Sequence, residues 1–182
     1  MSSYPPGVRV AQVVGLTGSA WLAGNISALS VNAIPALLKS HREDGTPLNI
    51  ILRQYRNLYD NGHAQNPPIA VLTASAFGYL AYAVHNGVSV SALTTRESAI
   101  LYVASAVLTI GIVPWTVVAM TGTNRELLEM ADAGVVVEKE DEKKKVLGGL
   151  ERWVVLNGVR SLFPLVGGIV GVVAGMGWPV LA

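Results

Sequence analysis

Hydrophobic positions gather into four long runs separated by polar connections. From Val8 to Leu38 about 30 residues carry no charge except Arg9, more than the roughly 20 that a helix needs to cross a hydrocarbon core. A cleaved signal peptide ending near Ala20 or Ala23 fits less well, because the run is long for such a segment and polar through its middle. Those polar positions are ordered: Trp21, Asn25, Ala28, Asn32 and Pro35 recur at i, i+4, i+7, i+11 and i+14, a single helical seam. In lipid such a seam faces other helices. The second run, Pro67 to His85, carries Ser75, Tyr79, Tyr82 and Asn86 on one stripe. The third, Glu97 to Met120, has a kink predicted at Pro114. The fourth starts near Glu151 and is apolar to the C-terminus. The pattern predicts an all-α fold, a four-helix transmembrane bundle with spans of about 9–38, 67–86, 97–120 and 153–179, forming one integral membrane domain over 1–182.

The connections carry helical signals of their own. Thr46-Pro47 reads as an N-cap followed by proline at the first helical position. Leu48, Ile51, Leu52, Tyr55, Leu58 and Tyr59 then share a face opposite Arg53, Gln54, Arg56 and Asn57, which predicts an amphipathic interfacial helix ended by Asn61-Gly62. Asn86 to Thr95 reads as a turn. Thr121-Gly122 reads as a break, and Thr123-Asn124-Arg125-Glu126 as a capping box opening a second short amphipathic helix. Glu138 to Lys145 is a mixed-charge run, read as a solvated helix face or loop.

Composition supports the membrane reading. Of 182 residues 51% are hydrophobic and 14% charged, against roughly 25% charged in a soluble domain, and the mean hydropathy is +0.45. A net charge of +1 gives no footprint for nucleic acid, and the absence of cysteine removes disulfides, thiolate metal sites and thiol redox chemistry. Four spans place both termini on one side. Lys39, Arg42, Arg53, Arg56, Arg125, Lys139, Lys143, Lys144, Lys145 and Arg152, ten cations, lie in the two longer connections, against Arg9 and Arg96 on the other side. This asymmetry predicts long connections in the cytosol and termini in the lumen or outside.

Candidate chemistry lies at that cytosolic end. Trp153, Asn157, Arg160 and Pro164 fall at i, i+4, i+7 and i+11 on the fourth helix. An arginine in an apolar helix marks function by default, the alternative being a side chain that snorkels to the headgroups. Asn32 and Pro35 end the first span; His63, Asn66 and Pro67 precede the second; Thr123 and Asn124 follow the third. Together they suit either a pocket for a flat hydrophobic molecule entering from the bilayer or simple interfacial anchoring. The histidines are His41, His63 and His85, with no metal-binding spacing. His63 and His85 stand about 30 Å apart along a helix. No nucleophile motif, phosphate loop or dinucleotide fingerprint is present, so the expectation is proton transfer and positioning with no metal and no bound cofactor.

The run Gly24 to Leu38, the turn Tyr59-Asp-Asn-Gly62-His63 before Pro67-Pro68, Thr123-Asn124-Arg125-Glu-Leu127-Leu128, and Trp153-Val-Val-Leu-Asn157-Gly-Val-Arg160-Ser161 together resemble the fungal anthrone oxygenase family. The resemblance spans about Gly15 to Gly171. It implies a membrane monooxygenase of aromatic polyketide pathways, by default in the endoplasmic reticulum, that oxidises an anthrone to the anthraquinone with O2. Its partners would be the bilayer, a hydrophobic aromatic polyketide and O2. Under that resemblance His63 is the base, oriented by Asp60, with His41, Asp60 and Tyr55 remaining open for the role. Arg160 and Asn157 hold the enolate oxygen, Asn124 is a further donor, and Trp153, Tyr59 and Trp21 bracket the rings, with Asn32 at the same end. The competing expectations are a non-catalytic tetraspan protein that scaffolds or escorts hydrophobic intermediates, and a transporter. Four helices without repeats suit the latter poorly.

Overall fold

The computed structural model describes residues 4–134 and 139–177, so that Glu138 of the charge run and the end of the fourth span, 178–179, lie outside the described residues. Four long helices account for the fold: α1 (Pro6–Asp44), α2 (Leu48–His85), α3 (Glu97–Asp132) and α4 (Glu140–Met176). Each is long and apolar enough to cross a membrane, as the four runs predict, and no strand occurs among the described residues.

The helices run further than the sequence suggests. Asn61-Gly62 does not end the amphipathic segment, and α2 continues through Pro67 and Pro68 to His85. Gly62 never enters the left-handed conformation that a helix terminus uses, whereas Gly45, at φ 70, closes α1. The two prolines, lacking an N–H, remove the helical donors for the carbonyls of His63 and Ala64. Both of those residues are exposed, which lets water or headgroups serve the freed oxygens.

The capping box is likewise absent. Thr121–Asp132 continues from a π-turn, Thr116–Met120, so no helix start is left to cap. Thr123 is buried, and Glu126 pairs with Lys145 at 3.5 Å. A second π-turn, Leu29–Ala33, interrupts α1. Pro114 does mark a change in α3, whose first α-helical stretch ends at Ile110, four residues earlier, where proline withholds a donor. The charge run opens α4 at Glu140 rather than near Glu151, with Glu140, Asp141 and Glu142 in the first turn, where acids complement the helix dipole.

The chain packs as two compact units, each drawing on all four helices: Met1–Ala23, Asn66–Val113 and Leu162–Ala182 form the first, Gly24–Gln65 and Pro114–Ser161 the second. The first unit packs Phe77, Leu80 and Tyr102 against small residues. A Cβ on Gly171 would lie 2.6 Å from the Phe77 ring, one on Gly168 2.5 Å from Ser19 Oγ, and one on Gly167 2.8 Å from Thr109 Oγ1. These three glycines of α4 are therefore part of the surface on which its neighbours rest. Gly171→Ala is expected to destabilise by about 1–3 kcal/mol through overpacking, while Gly24→Ala, with open space around its Cβ, is neutral or mildly stabilising; thermal unfolding in detergent compares them. The stripe of Ser75, Tyr79 and Tyr82 lies exposed. The second unit packs Ile34, Leu52, Tyr55, Leu127, Leu150 and Trp153 into one apolar cluster.

Candidate active site

The second unit holds a small cavity among its polar residues. Its lining is Leu29 from α1; Leu58, Tyr59, Gly62 and His63 from α2; Met120 and Asn124 from α3; and Trp153 and Arg160 from α4. The volume is about 20 Å³, room for roughly one water. Ligand pockets span about 300–1,000 Å³, so a ring system enters only if a wall moves.

Arg160 does not snorkel away. It is half-buried and lines the cavity; Nη1 donates to Thr116 Oγ1 at 3.1 Å, and Nε is buried with no hydrogen-bond partner among the described residues. No carboxylate pairs with it among the described residues. A guanidinium in apolar surroundings held only by a neutral hydroxyl keeps its attraction for an incoming anion. Pro164 also removes the helical donor for the Arg160 carbonyl, the relation that Pro67 bears to His63.

Asn124 is oriented by its neighbours. Its Oδ1 accepts from Trp153 Nε1 at 2.9 Å and from Tyr55 hydroxyl at 3.4 Å. Indole N–H only donates, so Oδ1 is fixed on that side and the amide N–H groups are left for the cavity. Trp153 is buried, and Tyr55 packs edge-on against it, ring centroids 5.5 Å apart at 89°. The Tyr59 and His63 rings stack at 5.7 Å and 11°, one helical turn apart; Tyr59 is half-buried and His63 exposed.

Other residues singled out in the sequence take different positions. Asn157 is buried, but Nδ2 donates to Ile26 O and to Ser30 Oγ, both at 2.8 Å. Both amide hydrogens are thus committed, Oδ1 has no partner, and the residue ties α4 to α1 instead of offering an N–H to the cavity. The Asp60 carboxylate accepts from Arg56 Nε at 3.1 Å, and Arg56 also pairs with Asp132; no hydrogen bond joins Asp60 to His63 among the described residues. His41 meets Thr46 O at 2.7 Å in the turn after α1. Asn32 is exposed on the π-turn, and Trp21 is an exposed residue of the first unit; neither lines the cavity. Among the described residues no three His, Asp or Glu side chains gather as metal ligands.

Two features carry no sequence signature. The π-turn of α1 supplies Ser30 to Asn157 and Leu29 to the cavity; that of α3 supplies Thr116 to Arg160 and Met120 to the cavity. A π-turn inserts one residue into the helical ladder and recurs at functional sites.

Over residues 55–170 the chain matches the family model for anthrone oxygenase. The chain belongs to the anthrone oxygenase family. Similar members are an anthrone oxygenase of Aspergillus fumigatus, 35% identical over 91% of this chain and 92% of that protein, and a second from the same fungus, 34% identical over 90% and 92%. A noranthrone monooxygenase of Aspergillus flavus is 30% identical over 87% of this chain and 70% of that protein. No solved structure matches. The family match covers every cavity residue except Leu29.

Proposed function

We propose that this protein is a membrane monooxygenase that converts an anthrone-type aromatic polyketide to the anthraquinone with O2. The observation that carries the reading is Arg160, a half-buried cation on the cavity wall with a neutral partner and, among the described residues, no carboxylate. An anthrone suits such a group because losing a proton from C10 makes the ring system aromatic and puts the charge on the C9 oxygen. Arg160 and the N–H groups of Asn124 stabilise that oxyanion as it forms, and His63 takes the proton. The electron-rich carbanion combines with O2 to give a C10 peroxide, protonated by His63. Loss of the second C10 proton to His63 breaks the O–O bond, leaving a carbonyl and a hydroxide that recovers the proton as water. One oxygen atom enters the product and the other leaves in water, so hydrogen and electrons balance without a further reductant.

Trp153 and Tyr59 form the apolar walls for the rings. Admission of the substrate moves the α2 wall, Leu58 to His63, just ahead of the two prolines that weaken its hydrogen bonding. Asn157 acts by holding α4 against α1, and Asp60 acts through its ion pairs at the rim. All ten cations counted for the cytosolic side fall in the second unit, and Arg9 and Arg96 in the first, which favours a cytosolic site and lumenal termini; the endoplasmic reticulum is the membrane that kinship with the family implies.

The test is the detergent-purified protein, treated with a chelator and supplied with an anthrone and O2. The expected result is quinone formed with one O2 consumed per substrate. Binding without turnover would support the escort function instead.

A further inference from the structure

Resting on that reading of the site, we propose that Thr116 is a positioning residue of the oxygenase, whose hydroxyl aims the Arg160 guanidinium at the oxyanion. Thr116 lies in the first position of the α3 π-turn, and its Oγ1 accepts from Arg160 Nη1 at 3.1 Å. Arg160 reaches the cavity on a long side chain, and a planar guanidinium presents its donors in a rigid fork. One N–H held on Thr116, with the side chain tethered at its other end to α4, therefore narrows the orientations open to all five. Asn157, one turn earlier, fixes the helix that carries Arg160 by its bonds to Ile26 and Ser30, but among the described residues it makes no hydrogen bond to the guanidinium. Among the described residues, Thr116 provides the one hydrogen bond to that group.

The chemical nature of the partner matters as much as its position. An aspartate or glutamate would hold Arg160 more tightly, yet it would cancel the charge that the developing oxyanion needs and compete for the same donors. A hydroxyl orients without neutralising. The π-turn makes this contact available, since the extra residue shifts the register of α3 just where Thr116 meets α4. Thr116 itself is half-buried and lines no part of the cavity, so its effect on the reaction passes through Arg160.

The experiment compares wild type with Thr116→Val, Thr116→Ser and Thr116→Asp in detergent, using an anthrone as substrate. Thr116→Val, close in shape, is expected to lower kcat about 10-fold to 100-fold with KM within about twofold, the pattern of an interaction made mainly in the transition state. Thr116→Ser restores kcat to within a few-fold. Thr116→Asp falls below Thr116→Val although it keeps an acceptor. An anaerobic absorbance titration of the bound anthrone supplies a second readout. The pH at which it ionises should rise by about one unit in Thr116→Val, a tenfold loss of anion stabilisation, and return in Thr116→Ser. A structural role alone would change Tm and leave that midpoint fixed. Equal kcat and equal midpoints in wild type and Thr116→Val overturn the proposal, as does full activity in Thr116→Asp. Wild type that neither ionises bound anthrone nor turns it over would instead overturn the reading of the site, leaving the two failures distinguishable.

Discussion

Arg160→Ala is expected to lower kcat for anthrone oxidation about 10²- to 10³-fold, the cost of removing one oxyanion donor. The side chain is, among the described residues, the one arginine or lysine on the cavity wall, with no described partner at Nε and with Nη1 on Thr116. Under the proposed mechanism, removing it deletes the charge that meets the C9 oxyanion, while Trp153 and Tyr59, the proposed walls for the rings, remain. KM should therefore change much less than kcat. Arg160→Lys keeps the charge but not the fork, so it recovers only part of the loss. The fold should survive, because Arg160 forms no ion pair among the described residues and Asn157 still ties α4 to α1. Steady-state kinetics with unfolding controls measure this, and full activity in Arg160→Ala would remove its role.

The second large effect is expected at His63. Loss of a general base costs about 10²- to 10⁴-fold, and His63→Ala should fall in that range. The imidazole lies flat on Tyr59, which fixes its plane beside the cavity that both line. No carboxylate holds its second nitrogen among the described residues, since Asp60 is directed to Arg56. Asp60→Asn should accordingly cost far less than His63→Ala. His63→Gln, which preserves size and polarity but has no basic nitrogen, should be as inactive as His63→Ala. A kcat for His63→Gln within a few-fold of wild type would move the base elsewhere, to Tyr55 or a solvent species.

The long apolar runs made the four helices legible, because a bilayer demands about 20 apolar residues and little else does. The spacing of Trp153, Asn157 and Arg160 was equally legible, and the three do share one face of α4. What separates their roles is their neighbours. Asn157 spends its amide on Ile26 and Ser30, over 120 positions away, a pairing that no local spacing encodes. The interior prolines and Asn61-Gly62 read as stops because local propensity is a weak prior against tertiary packing; buried Leu52 and Tyr55 on one side and Ala70 and Phe77 on the other keep α2 helical through them. The π-turns were invisible for another reason. They change hydrogen-bond register by one residue without needing any particular amino acid, yet they bring Ser30 and Thr116 to α4.

This protein is expected to ionise its substrate at C10 before O2 reacts. Anaerobic loss of deuterium from a C10-dideuterated anthrone into water measures that step alone. Wild type is expected to wash the label out well above the buffer rate, with Arg160→Ala and His63→Gln near that rate. No enzyme-dependent washout, with oxidation by O2 still proceeding at the wild-type rate, would contradict it.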